Sequence, residues 1–232
     1  MRCLIDVGNS QIKLVLFEEN HFVLEQHWPT ATFQPKGLVA LLKDQPRITR
    51  ITLASVVPKR TPQIQQVASK LQIPCYTLDV MTQTTVTIKT TNPAEVGADL
   101  VACAAAVDGR TIIVDFGTAT TISLVENNIL QGVSIAPGLQ TQLTSLVKEA
   151  ALLDTIELTA TEHMLGRDTK EALLAGIVMG QAKMVEGVIQ SLGKAKVVFT
   201  GGYASLINQS LGSTYKVEPH LLMKGLLRID GQ

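Results

Sequence analysis

The sequence predicts an α/β protein of two similar lobes, and three observations carry that prediction. An apolar strand running into an Asp-x-Gly turn occurs twice, at Leu4-Ile5-Asp6-Val7-Gly8-Asn9-Ser10 and again 109 positions later at Ile113-Val114-Asp115-Phe116-Gly117-Thr118-Ala119-Thr120-Thr121. Each copy leads into a second β-like stretch, residues 14–17 or 122–125, closed by an acidic, Asn-containing turn at Glu18-Glu19-Asn20 or Glu126-Asn127-Asn128. Beyond each hairpin, short apolar runs alternate with helix-patterned segments, as layered strands and helices require. The 232 residues, 46% of them hydrophobic, are enough for two small cores. The expected lobes are 1–109 and 110–232, packed directly because no linker composition separates them.

In the first lobe the hairpin is followed by a helix over residues 35–44, a strand over 50–57 closed by Pro58, a helix over 61–71 and a short strand at 75–78. Asn92-Pro93-Ala94-Glu95 reads as a helix start: Asn at the N-cap, Pro at the first helical position, Glu three residues after the cap. The Ala-rich run 102–107 continues that helix to Asp108-Gly109. In the second lobe, Ser134-Ile135-Ala136-Pro137-Gly138 is a turn into a helix ending near Leu153, and residues 157–162 are loop or a short strand. A long helix runs from Asp168 or Thr169 to about Leu192, with Ala172, Leu173, Gly176, Ile177, Gly180, Met184 and Val188 on one side. A buried strand at 195–199 runs into Thr200-Gly201-Gly202, then a final helix and an edge strand at 215–218.

Composition removes several function classes. Formal net charge is zero without a run of Lys or Arg, which argues against a nucleic-acid or anionic-membrane surface. Asp6 interrupts the first apolar run, so no signal peptide is expected, and no stretch is read as a membrane span. Cys3, Cys75 and Cys103 lack C-x-x-C spacing and read as reduced core residues, and the four histidines show no zinc spacing. The expectation is a cytoplasmic protein.

Chemistry concentrates at the turns. In Asp6-Val7-Gly8-Asn9-Ser10-x-x-Lys13, Gly8 permits close backbone approach, Asn9 and Ser10 can bond phosphate oxygens, and Lys13 supplies a neutralising charge. An ordinary hairpin with an exposed Lys would look the same locally, but the second copy at Asp115 favours a polyphosphate and its cation held by both turns. Thr118, Thr120 and Thr121 mirror the Ser10 position, and Gly201-Gly202 can let a flat adenine lie against backbone. Asp99, in Glu95-Val96-Gly97-Ala98-Asp99, sits near a helix start whose dipole favours its ionised form, as a base requires; a purely helix-stabilising Asp fits the same local sequence. Gly176-x-x-x-Gly180 allows a close helix contact, either across a subunit interface or inside one lobe.

Taken in order, these segments resemble the type III pantothenate kinases of the acetate kinase–sugar kinase–Hsc70–actin superfamily. The resemblance runs through Asp6–Ser10, Ser55-Val56-Val57-Pro58, residues 92–99, residues 114–121, Ile135-Ala136-Pro137-Gly138 and Gly166-Arg167-Asp168-Thr169. It implies a ribonuclease H-like, actin-like ATPase fold with the nucleotide site between the lobes, and ATP-dependent phosphorylation of pantothenate to 4'-phosphopantothenate. It implies Asp99 as catalytic base, with Gly97, Ala98, Leu100 and Thr169 at the acceptor. Asp6 serves Mg²⁺ with ATP, and Val7, Gly8, Asn9, Ser10, Lys13, Gly117 and Thr118 contact the nucleotide. Asp115 ligates a monovalent cation, K⁺ or NH₄⁺. A homodimer in which Thr169 completes the other subunit's site is also implied. Leu100 and Thr91 stand where the family has Arg and Tyr, and Gly132-Val133 where it has Gly-Gly, so the departures gather on the acceptor side. The alternatives are a kinase or phosphohydrolase of the same superfamily acting on another small molecule, or a non-catalytic nucleotide-binding accessory protein.

Overall fold

A computed structural model describes residues 1–83, 85–149 and 156–231 and divides them into two compact units. The first holds Met1–Val107 with residues 128–130 and 221–231; the second holds Asp108–Asn127 and Gln131–His220.

The first unit opens with β1 (Arg2–Val7), β2 (Gln11–Glu18) and β3 (His21–Pro29), an antiparallel meander. The chain crosses through α1 (Pro35–Lys43) to β4 (Arg50–Ser55), which lies parallel to β1, and through α2 (Thr61–Lys70) to β5 (Cys75–Thr77). The sheet order is β3-β2-β1-β4-β5. Strand alternation sends Cys3, Ile5, Val7, Ile51 and Leu53 into a core shared with Leu38, Leu42, Ile64 and Val67 of α1 and α2. The opposite face, carrying Arg2, Leu4, Asp6, Arg50, Thr52 and Ala54, is covered by α3 (Ala98–Ala105) and α8 (Leu221–Asp230).

The second unit repeats the plan. β7 (Arg110–Phe116), β8 (Ala119–Glu126) and β9 (Ile129–Pro137) precede α4 (Leu139–Glu149). After α5 (Thr169–Leu174), a π-helical stretch Ala175–Met179 and α6 (Gly180–Leu192) come β10 (Lys196–Thr200), parallel to β7, then α7 (Ala204–Ser210) and β11 (Lys216–Val217). The order β11-β10-β7-β8-β9 mirrors the first sheet, and β6 (Thr87–Ile88) extends it at the β9 edge. Phe116 and Phe199 meet edge to face at the centre of this core, 5.0 Å between centroids.

The two hairpins, α1, α2, β4, β5, β10 and β11 lie where the sequence puts them, and residues 157–162 are loop. Four strands or helices were not anticipated: β3, β6, β9 and α8. The expected division at residue 109 also differs from the observed units in two places. Residues 128–130 join the first unit because Asn128 and Leu130 carbonyls accept bonds from the Thr87 and Lys89 amides. Helix α8 joins it because Gly225 brings its backbone against that of Ala102 in α3, and because Asp230 pairs with Arg2 and Arg50.

The single helix expected over 92–107 is two pieces. Pro93–Glu95 is one 3₁₀ turn, Asn92 bonds the Glu95 side chain instead of capping the backbone, and Gly97 is extended before α3 begins. The end of the helix expected near Leu153 lies outside the described residues.

The helical stretch Thr169–Leu192 is long and apolar enough by length and composition to cross a membrane, which the sequence reading did not anticipate. Half of its most apolar window is buried against its own unit, through Leu174, Ala175, Val178, Ala182, Val185 and Ile189. That packing accounts for its apolarity without a bilayer. The side expected at helical spacing is largely the outer one: Ala172, Gly176, Gly180 and Met184 are exposed. Cys3 and Cys103 are buried and Cys75 half-buried, none of them in a disulfide among the described residues, and burial pushes the Cys3 and Cys75 thiols up.

Candidate active site

The first Asp-x-Gly turn is a short connection between β1 and β2. Gly8 N–H donates to the Gln11 carbonyl at 3.0 Å, leaving Asn9 and Ser10 exposed at the tip. Thr30, buried just after β3, braces it twice: its hydroxyl donates to Gly8 O at 2.7 Å and its amide to Ser10 O at 2.9 Å. Asp6 sits half-buried at the end of β1, paired across the hairpin with Lys13. Lys13 Nζ lies 2.9 Å from Glu25 Oε1, which also bonds His27 Nε2 at 2.7 Å. A phosphate reaching Lys13 therefore competes with a carboxylate already there.

The second turn is Gly117-Thr118 between β7 and β8, with Asp115 opposite Thr121 and Phe116 opposite Thr120. Two loops close on it. From the start of α4, Gly138 N–H and Thr141 Oγ1 both donate to the Thr118 carbonyl, at 3.0 and 2.7 Å. From the loop after β10, Gly201 adopts φ +88° with its Cα against the Asp115 carboxylate and the Phe116 backbone. Any side chain at Gly138 or Gly201 would collide with the turn itself. Thr118 is exposed at the tip, and the buried Thr120 hydroxyl has no hydrogen-bond partner among the described residues.

Asp99 occupies the first turn of α3. Gly97 is extended (φ −64°, ψ 144°), and the Asp99 carboxylate lies where a Cβ on Gly97 would be. Asp99 Oδ1 accepts from Leu100 N–H at 2.8 Å. Burial nevertheless dominates and pushes the carboxyl above its ordinary value, with backbone hydrogen bonds opposing it. The direction corrects the expectation that the helix start alone would favour the ionised form. Leu100 is half-buried beside it and offers no polar side-chain group.

Thr169 is exposed at the start of α5. Asp168 caps that helix by accepting from Glu171 N–H at 2.8 Å, and Glu171 Oε2 accepts from Arg167 N–H at 2.8 Å. Gly166 is packed against the Glu171–Ala172 backbone, so the segment 166–169 folds back on its own helix.

The first unit thus carries Asp6, Val7, Gly8, Asn9, Ser10, Lys13 and the segment Gly97, Ala98, Asp99, Leu100. The second carries Asp115, Gly117, Thr118 and Thr169. Three supporting residues escaped the sequence reading: Thr30, Glu25 and Thr141. A threonine directly after an unrecognised edge strand gives no local signal, and Thr141 looks like any residue in a first helical turn. Among the described residues no cluster of three or more His, Cys, Asp or Glu could cage a metal.

Comparison with known proteins gives a consistent result. The family model described as type III pantothenate kinase matches residues 3–191. Type III pantothenate kinases from Acholeplasma laidlawii and Dictyoglomus turgidum are 36% and 34% identical, covering 99% and 96% of this chain and 98% and 95% of their own. A solved Baf family protein from Campylobacter jejuni superposes with a TM-score of 0.68 at 18% identity, over 99% of this chain and 97% of that one. At such identity the likeness speaks for the fold alone, the two-unit actin-like ATPase type. With one family model spanning most of its length and relatives a third identical from end to end, the chain belongs to the type III pantothenate kinase family.

Proposed function

We infer from this membership that the chain transfers the γ-phosphoryl group of ATP to the primary hydroxyl of pantothenate, giving 4'-phosphopantothenate in the first step of coenzyme A biosynthesis. The observation that carries the residue assignment is Asp99, a carboxylate at a helix start for which Gly97 has been kept bare. The hydroxyl oxygen forms the new P–O bond as the bond to ADP breaks. Asp99 orients the hydroxyl and accepts its proton late, a contribution of about 10²–10⁴-fold. A carboxylate is too weak to remove that proton beforehand.

In this reading the Asp-x-Gly turns are nucleotide-binding elements. Asn9, Ser10 and the Gly8 backbone hold phosphate oxygens with Val7 beneath them, and Gly117 and Thr118 are nucleotide contacts of the second turn. Mg²⁺ accompanying ATP would be met by the Asp6 carboxylate. A single carboxylate fits, because Mg²⁺ completes its shell with phosphate oxygens and water. A monovalent cation, K⁺ or NH₄⁺, would be held by Asp115, where the bare Gly201 leaves the carboxylate against backbone. Either ion supplies neutralisation of phosphate charge when bound.

The acceptor lies by Gly97, Ala98, Asp99 and Leu100. A homodimer lets Thr169 complete the partner's site, and the exposed small side of the long helix at Gly176 and Gly180, with exposed Met184, suits close approach of a second copy. The reading places the enzyme in the cytoplasm.

ATP turnover measured with and without pantothenate tests the proposal. Pantothenate-dependent ADP formation is expected. Turnover that ignores pantothenate would favour the phosphohydrolase alternative, and none under any condition the accessory-protein one. The acid side of the kcat/KM profile follows Asp99. A folded pKa raised above the unfolded one means that Asp99 contributes stability when protonated, lost as pH rises through the folded value, and the same titration creates the base. Activity should therefore fall off on the acid side above pH 3.8, and that limb should vanish in Asp99→Asn.

A further inference from the structure

The helix bearing Asp99 has little of its own to hold it. α3 is eight residues long, and its inward side is built mainly from alanine, so its position depends on what backs it. That support is α8. Gly225 brings the two helix backbones into direct contact at Ala102, and Arg228 Nη1 donates to the Ala105 carbonyl at 3.2 Å, satisfying a carbonyl that the end of α3 leaves without a helical partner. α8 packs on the sheet through its apolar side and is pinned there by one buried carboxylate. Asp230, its side chain 1% exposed, sits 3.1 Å from Arg2 at the start of β1 and 2.7 Å from Arg50 at the start of β4. Arg2 and Arg50 are register partners on neighbouring parallel strands, and Arg50 also lies over the Tyr76 ring.

We propose that Asp230 is a positioning residue for phosphoryl transfer, acting through α8 and α3 to fix Asp99 relative to the Asp6 turn at the far end of β1. The path is contiguous within one compact unit: Asp6 and Arg2 share β1, Arg2 and Arg50 grip Asp230, and α8 carries α3 by Gly225 and Arg228. Backbone pairing with β2 and β4 sets β1 independently of Asp230, so the nucleotide turn keeps its place when the grip is lost. The acceptor base does not. The inference rests on Asp99 being that base.

The test is a double-mutant cycle on the full-length enzyme, with kcat expressed per nucleotide-binding site titrated with ATP. Asp230→Asn should lower kcat about ten-fold, the scale expected of a sub-ångström to ångström misplacement, while the KM for ATP stays within about two-fold. The combination Asp99→Asn/Asp230→Asn should be no slower than Asp99→Asn alone, because the second change acts only through the first residue. A merely structural Asp230 would reduce the number of competent sites but leave kcat per site unchanged, or its effect would add fully to that of Asp99→Asn; either result overturns the proposal. Arg228→Met, which removes the bond to Ala105 and leaves Asp230 and its two arginines in place, is the milder variant should Asp230→Asn fail to fold. It should show the same pattern at about two- to five-fold, and an unchanged kcat would overturn the proposal equally. Full activity of Asp99→Asn itself would instead refute the assignment of the base.

Discussion

The two Asp-x-Gly turns are the same hairpin device in different surroundings. Around Asp6 the bracing is hydrogen bonding to exposed backbone: Thr30 supplies one hydroxyl to Gly8 and one amide to Ser10, and the Val56 amide bonds the Val7 carbonyl. Around Asp115 two further loops close in, each depending on a glycine that touches the turn directly, Gly138 on the Thr118 carbonyl and Gly201 on the Asp115 carboxylate. A repeated sequence motif thus specifies the hairpin but not its rigidity, which comes from distant residues. The first turn is built to let a ligand approach its exposed tip, whereas the second is built to hold a carboxylate still. Under the proposed roles, the first suits exchange of a nucleotide and the second suits a permanent ion site.

Neutralising each carboxylate should break this comparison most sharply. Asp6→Asn should lower kcat by about 10²–10³-fold with the fold intact, through loss of the charge facing the metal. Asp115→Asn should do comparable damage and also remove the dependence on K⁺. A variant that retains full K⁺ activation would separate Asp115 from the cation. Turnover at saturating Mg²⁺ and urea midpoints measure both effects.

The next effect is on stability. Gly201→Ala places a side chain at φ +88° and against the Asp115 carboxylate, and should cost about 2–5 kcal/mol. Gly8→Ala meets only the Gln11 carbonyl at 3.2 Å, with no positive φ, and should cost about 1 kcal/mol. Equal costs, read from denaturant midpoints, would mean that the second turn is no more tightly braced than the first.

Two smaller changes act on the first turn alone. Thr30→Val removes one hydroxyl bond to Gly8 and should lower stability by about 1 kcal/mol while raising the KM for ATP. Glu25→Gln removes one ion pair of Lys13, a half-buried but still solvated pair worth about 1 kcal/mol, and should lower the KM for ATP a few-fold at most. An unchanged KM in Glu25→Gln would take Lys13 out of nucleotide binding.

Both turns were legible in the sequence because everything that makes them is local: an apolar strand, a carboxylate, a glycine and small polar residues within seven positions. The strands that complete each meander were not. β3 is an edge strand whose half-buried Phe22, Leu24 and Trp28 alternate with exposed residues, but Val23 on the outer side and Gln26 on the inner one blur that alternation in the sequence. β9 carries Gly132, Ser134 and an exposed Ile135, which read as a turn. Helix α8 was missed although Leu221, Met223, Leu226 and Ile229 make a buried side. Its partner is the Ala-rich α3, and no sequence pattern in one helix announces a backbone contact with another. For the proposed site, the motif singles out Asp99 as a candidate but says nothing of its electrostatics. The proton affinity of a carboxylate depends on how deeply the fold buries it, which a local motif does not give.

The π-helical stretch Ala175–Met179 has a consequence for how the longest helical segment is aligned with its relatives. One wider turn takes up an extra residue without adding its rotation, so on a 3.6-residue count the rows of side chains before Ala175 and after Met179 belong to two different helical phases. A single 3.6-residue wheel drawn over residues 169–192 mixes them, which is how Gly176, Gly180 and Met184 came to share a side with the half-buried Leu173 and the buried Ile177. The stretch is therefore a natural place for a one-residue gap. Deleting a residue there would return the segment to continuous α-helix while leaving the inner row of α6, with Val185 and Ile189, facing the core as before. The same deletion within α6 ahead of Val185 would instead turn that row by about 100° relative to α5.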